Sequence, residues 1–180
     1  ETLEVALSSL KEDFDIHKIP PRGAQASLLL LGFTSVAVIF GGAFVKKLGD
    51  KAAEDSYPYI KQAISGIYHK YFGSNPLYQS RILTSSENKA PDTKYSLILA
   101  LYCVGKNNER VKFLYETNWT KEEFDKATGI YIEAMIDFVG SGGGVVNELI
   151  KRGSTMEPHL IAWDAGDSAL VKIEAIPKQK

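Results

Sequence analysis

The longest apolar stretch in this chain runs from Gly23 to Val45 without a charge, through Leu28 to Leu31 and then Val36-Ala37-Val38-Ile39-Phe40. Its length meets the requirement for spanning a hydrocarbon core. The pattern predicts one long helix from Ala24 to about Ala53, apolar almost all round until Lys46, Lys47, Asp50, Lys51 and Glu54 change its character. Small residues at Gly32, Ser35, Gly41 and Gly42 suit the close approach of another backbone, so they are the expected interface of that helix. The charged turns after Val45 and the sheet elements on both sides favour burial in protein over burial in lipid.

Before this segment, Leu3, Leu7, Leu10 and Phe14 recur at helical spacing, and Asp15 to Ile19 reads as a strand stopped by Pro20-Pro21. After it, Ser56 is placed to cap a helix with Pro58 in its first turn, Ile60, Ile64, Ile67, Tyr68 and Tyr71 on one face, and Gly73 at its end. A brief strand is expected over Arg81 to Thr84. The firmest β signal is a hairpin: Lys94 to Val104 and Arg110 to Glu116, joined by Gly105-Lys106-Asn107-Asn108-Glu109. In its second strand Val111, Phe113 and Tyr115 alternate with Lys112, Leu114 and Glu116.

Thr120-Lys121-Glu122-Glu123 is a capping box, with Trp119 and Phe124 at the positions of a hydrophobic staple. It opens a helix predicted over Lys121 to Val139 despite Gly129. A short helix over Val145 to Arg152 and a terminal hairpin, Leu160 to Trp163 with Ala169 to Ile176, complete the chain. In that hairpin Val171 and Ile173 are expected inward, Lys172 and Glu174 outward. These elements predict one α+β domain over residues 1–180, an antiparallel sheet of about four to five strands against the long apolar helix, the amphipathic helix and the capped helix, in a loosely ferredoxin-like order. Glu1 in place of methionine is expected to follow a removed segment.

Composition narrows the function classes. The 21 Lys+Arg and 22 Asp+Glu give a net charge of -1, so no overall field draws the chain to nucleic acid. Its one cysteine, Cys103, cannot form an internal disulfide and sits in an apolar run, as a small buried hydrophobe does. Without disulfides the cytoplasm is the expected compartment, with membrane association as the alternative.

Candidate chemistry is sparse. Gly140-Ser141-Gly142-Gly143-Gly144 ahead of a helix resembles a phosphate cradle, with Asn147 and Lys151 as helpers. The third glycine of a dinucleotide fingerprint is replaced by Val145, and the Lys-Ser/Thr pair of a P-loop is missing, so a joint between helices is the favoured reading. His17, His69 and His159 lie in no metal-ligand spacing. His159 with Glu157, Asp164 and Asp167 is the richest polar set of the last hairpin. Arg110, Lys112, Tyr115 and Trp119 could stack single-stranded nucleic acid, yet packing explains them already. No cofactor and no metal are expected. The reading is a non-enzymatic interaction or regulatory domain that self-associates or docks onto a protein partner through the apolar helix. Its rivals are a membrane-inserted helix over 24–45 and a small-ligand or nucleotide-binding domain using Gly140 to Gly144.

Overall fold

A computed structural model describes residues 14–17, 36–40, 56–73, 75–77, 94–152 and 157–174. Among these, six strands form one sheet whose spatial order is the chain order: β1 (Phe14–His17), β2 (Val36–Phe40), β3 (Tyr95–Val104), β4 (Arg110–Glu116), β5 (His159–Asp164) and β6 (Ala169–Ile173). Four helices accompany them: α1 (Ser56–Gly66), α2 (Tyr68–Tyr71), α3 (Lys121–Ser141) and α4 (Gly144–Ile150). The α+β class read from the sequence is what the chain adopts.

Two expectations are corrected. Val36–Phe40 is not helical: it is a strand, antiparallel to β1 with Asp15 opposite Ile39, and parallel to β3 with Ile39 opposite Tyr102. A short, wholly apolar run looks the same to periodicity in a buried helix and in a strand paired on both edges. Here Val36, Val38 and Ile39 are β-branched, which favours the pleated backbone. The sheet is also mixed rather than antiparallel. β2–β3 and β4–β5 are parallel pairs, because the chain between each pair makes a helical crossover, whereas β1–β2, β3–β4 and β5–β6 are antiparallel. The expected helix near Leu3, the strand at Arg81 to Thr84 and the remainder of 24–53 lie outside the described residues, as do Gly32, Ser35, Gly41 and Gly42. Among the described residues no helix is long and apolar enough to cross a membrane.

Elsewhere local signals hold closely. The capping box forms as read: Glu123 N–H donates to Thr120 Oγ1 at 3.2 Å, and Thr120 N–H donates to Glu123 Oε2 at 2.8 Å. Gly129 passes through the middle of α3, where an added Cβ would stand 3.2 Å from Lys61 Nζ and 3.6 Å from Tyr57 Oη. The tips of the Lys61 and Tyr57 side chains on α1 thus rest over it. The amphipathic helix breaks once, at Ile67, into α1 and α2, and Gly73 closes it at φ +86.

The core lies between the sheet and α1 to α3. Ile60, Ile64, Phe72, Leu99, Leu101, Phe113, Tyr115, Phe124, Tyr131 and Ile161 are buried there. Its centre is aromatic: Tyr115 stacks on Phe124 at 4.6 Å and meets the Trp119 and Tyr131 rings edge-on. The hydroxyls inside it are satisfied. Tyr115 Oη and Thr128 Oγ1 share a hydrogen bond of 3.0 Å, and Thr128 donates onward to the Phe124 carbonyl. Tyr131 does more. Its hydroxyl donates to the Leu114 carbonyl on β4 at 2.6 Å and accepts from Trp163 N–H on β5 at 2.8 Å, just past Leu114–Ala162, where the paired register ends. A side chain thus stands in for a ladder bond between two parallel strands.

Candidate functional site

Among the described residues, a groove with the character of a site grows out of the same aromatic core. α2 and the segment after it (Tyr68, His69, Phe72, Gly73, Asn75) face the β4–α3 turn (Thr117 to Lys121) across a groove of about 730 Å³, within the range of small-ligand and anchor-residue pockets. Tyr68, Phe72 and Trp119 are nearly fully buried and make its floor. Tyr68 Oη donates to the Trp119 carbonyl at 2.7 Å, tying one wall to the other. Burial raises the Tyr68 phenol above its ordinary value, with the Glu123 carboxylate adding to the effect, so this hydroxyl stays protonated as a donor.

Polar groups line the rim as amides and hydroxyls: Asn75, Thr117, Asn118 and Thr120. The ionised groups nearby engage one another. Lys121 Nζ donates to Asp125 Oδ2 and to Ser65 Oγ, joining α3 to α1. Glu123 accepts from both the backbone and the hydroxyl of Thr120, and these hydrogen bonds hold its carboxyl below the usual range. Ser65, Lys121 and Asp125 resemble the nucleophile, base and orienting group of acyl-transfer enzymes. The donor count reads differently, because an ammonium offers three N–H donors and no lone pair with which to take a serine proton. This cluster is a tether between helices.

A second candidate lies on the opposite face of the sheet. Lys112 is fully buried, in one row with Tyr102 on β3 and Leu160 on β5, its Nζ 5.5 Å from the Tyr102 ring centroid. Burial pulls the ammonium down to about 7, the range in which lysine serves as a base or nucleophile. Full burial also closes it to a substrate in this state. Further along the same face Glu116 is buried and paired with Lys94 at 2.9 Å, and that hydrogen bond raises the lysine.

The residues singled out in the sequence fall into place as follows. Gly140 and Ser141 end α3, Gly142 is its left-handed cap at φ +70 with its N–H on the Phe138 carbonyl, Gly143 caps α4 and Gly144 opens it. Ser141 Oγ accepts from Gly143 N–H at 3.0 Å. Asn147 gives its carbonyl to Lys151 N–H, and Lys151 Nζ lies 3.6 Å from Glu148. The loop is thus built as a helix-to-helix joint. Arg110, Lys112, Tyr115 and Trp119 do not share a surface: Tyr115 and Trp119 are in the helix-side core, Lys112 is under the other face, and Arg110 pairs with Glu157 at 3.1 Å. Cys103 is buried and its thiol is pushed up to about 12 by desolvation, which leaves it inert. Lys172, expected outward, folds back instead onto the carbonyls of Ile150 and Arg152 at the end of α4.

His159 is buried, its Nδ1 has no hydrogen-bond partner among the described residues, and burial lowers its basicity. His69 is exposed and lines the groove, its ring edge-on to Tyr68 at 5.3 Å. Sequence reasoning missed this groove. Its two walls are some fifty residues apart, and the staple residue Trp119 was the one local sign that the turn before α3 is anchored in the core. No protein-family model matches the chain, and neither does any curated protein or solved structure.

Proposed function

We propose that this chain is a non-enzymatic interaction domain that docks a protein partner in the groove between α2 and the β4–α3 turn. The observation that carries this reading is the groove itself, with an aromatic floor fixed by the Tyr68 to Trp119 hydrogen bond and a rim of amides and hydroxyls. Such a rim suits hydrogen bonding to peptide groups, and a rigid floor lets a partner dock without first ordering the site. Leu77, 75 % exposed, stands on the segment that continues from Asn75 and adds an apolar contact beside the opening. The surface differs from the one expected from sequence, since Val36–Phe40 in the middle of the anticipated helix is a strand.

A photo-crosslinking amino acid at the exposed position of Asn118 tests the reading in cells that make the full chain, with the same group at exposed Glu148 on α4 as control. Docking in the groove gives light-dependent adducts of added polypeptide mass from position 118 and far fewer from 148. Equal yields from both positions, or none from 118, overturn it.

A further inference from the structure

We infer that His159 is an acid-sensitive latch on the β4–β5 seam: when its imidazole takes up a proton, the start of β5 comes away from β4 while the rest of the sheet stays joined. Geometry is the first argument. His159 is the first residue of β5, opposite Val111 on β4 and in one cross-strand row with Cys103 on β3. It is 7 % exposed, and its Nδ1 is buried with no hydrogen-bond partner among the described residues. The ring is thus held by packing, as an uncharged group. The seam that it begins runs to Leu114–Ala162, and just past that end the Tyr131 hydroxyl bonds both strands. One end of the seam is fastened by hydrogen bonds from a side chain, the other by a ring that can gain a charge.

The surrounding charges are the second argument. Burial is the largest influence and disfavours the charged ring, Lys172 on β6 adds to it, and Glu157 ahead of β5 and Glu109 ahead of β4 oppose both without reversing them. Lys172 is itself held by the Ile150 and Arg152 carbonyls, so its charge stays in place. Cys103 remains a neutral thiol, and the ends of α3 and α4 carry Asp137, Arg152 and the Glu148–Lys151 pair. Both opposing carboxylates stand nearer solvent than the ring: Glu157 is exposed and paired with Arg110 at 3.1 Å, and Glu109 is half-buried and accepts from Asn107. An imidazolium reaches water and these carboxylates by leaving its pocket, and leaving parts the Val111–His159 pair first. The opened end takes up a proton near the ordinary value of 6.5 and the closed end only below it. Opening is therefore favoured as pH falls through 6.5, and gains nothing further once the closed form is protonated as well.

Hydrogen exchange of the full chain between about pH 7 and about pH 5, corrected for the intrinsic pH dependence of exchange, tests this, with the His159 ring followed by NMR in the same samples. The window lies below that of Lys112 and above that of the depressed Glu109 and Glu123 carboxyls. Protection at Leu160 and Ile161 is expected to fall about fivefold or more, in step with the ring. Trp163, whose N–H the Tyr131 hydroxyl holds, and Leu101 in β3 should change by less than about twofold. His159→Gln, polar and unable to titrate, abolishes the fall. Lys172→Met, which removes the like charge, raises the ring's midpoint and lessens the fall. Circular dichroism melts establish that each variant is folded, and Lys172→Met carries the test if His159→Gln does not fold. A ring that titrates with no change in protection at 160 and 161, a fall that survives His159→Gln, or an equal fall at Leu101 overturns the latch.

Discussion

The two faces of β4 differ by one residue of register and by most of their chemistry. Val111, Phe113 and Tyr115 point under α1 and α3 into an aromatic core where the Tyr115, Thr128 and Tyr131 hydroxyls are paired, whereas Lys112, Leu114 and Glu116 point the other way and bury two ionisable groups among Tyr95, Leu160 and Ala162. The contrast teaches that burial along a strand does not mark a position as apolar. Every residue from Val111 to Glu116 is buried, so the alternation that separates the faces is one of chemistry alone. The helix-side face supplies most of the packing, and the other face makes stability depend on pH.

The sharpest way to break the comparison is to remove the aromatic centre. Tyr115→Ala takes away a fully buried ring that touches Phe72, Trp119, Phe124 and Tyr131, and urea unfolding should report a loss of about 3–5 kcal/mol. A loss under about 1 kcal/mol would mean that the helix-side core does not dominate.

The next effect belongs to the other face. A lysine near 7 when folded and near its ordinary value when unfolded leaves the unfolded chain holding more protons above neutrality, so stability rises with pH from about 7 toward 10 and this group contributes no slope below that window. The expected gain is about 3 kcal/mol between pH 7 and pH 9.5. Lys112→Met, of similar volume, should flatten that rise; a slope unchanged by the substitution would assign it to other groups.

Smaller effects test how the faces are joined. Tyr131→Phe deletes the hydroxyl that bonds Leu114 and Trp163 and leaves a buried carbonyl and a buried N–H unpaired, a cost of about 2 kcal/mol. Hydrogen exchange at Trp163 should quicken more than at Ile161, which retains its place in the ladder. Smallest is Thr120→Ala, which removes the cap of α3 and should cost about 1 kcal/mol by the same unfolding measurement.

What was legible in the sequence follows the range of the interactions that decide it. The capping box at Thr120, the hairpin turn at Gly105 to Glu109 and the closing glycine at 73 are settled within a few residues, and each sits where it was read. Val36–Phe40 was read as helix because its environment, β1 on one edge and β3 on the other, is set by residues far along the chain. The groove was illegible for the same reason: α2 and the β4–α3 turn meet only after the crossover has closed. Lys172 was placed outward on alternation, which ignores the helix end that its long side chain reaches.

The agreement of strand order with chain order has a kinetic meaning. Hairpins β3–β4 and β5–β6 close across turns 105–109 and 165–168, while the parallel seams β2–β3 and β4–β5 must bring together ends separated by residues 41–94 and 117–158. Closing long loops is the slower and entropically costlier step. The hairpins are thus expected to form early and the seams late, and a late seam is the first to part under strain. Tyr131 lies across the β4–β5 seam, so its hydroxyl acts on the lifetime of the folded chain: a rivet set in one of the two seams that close over long loops.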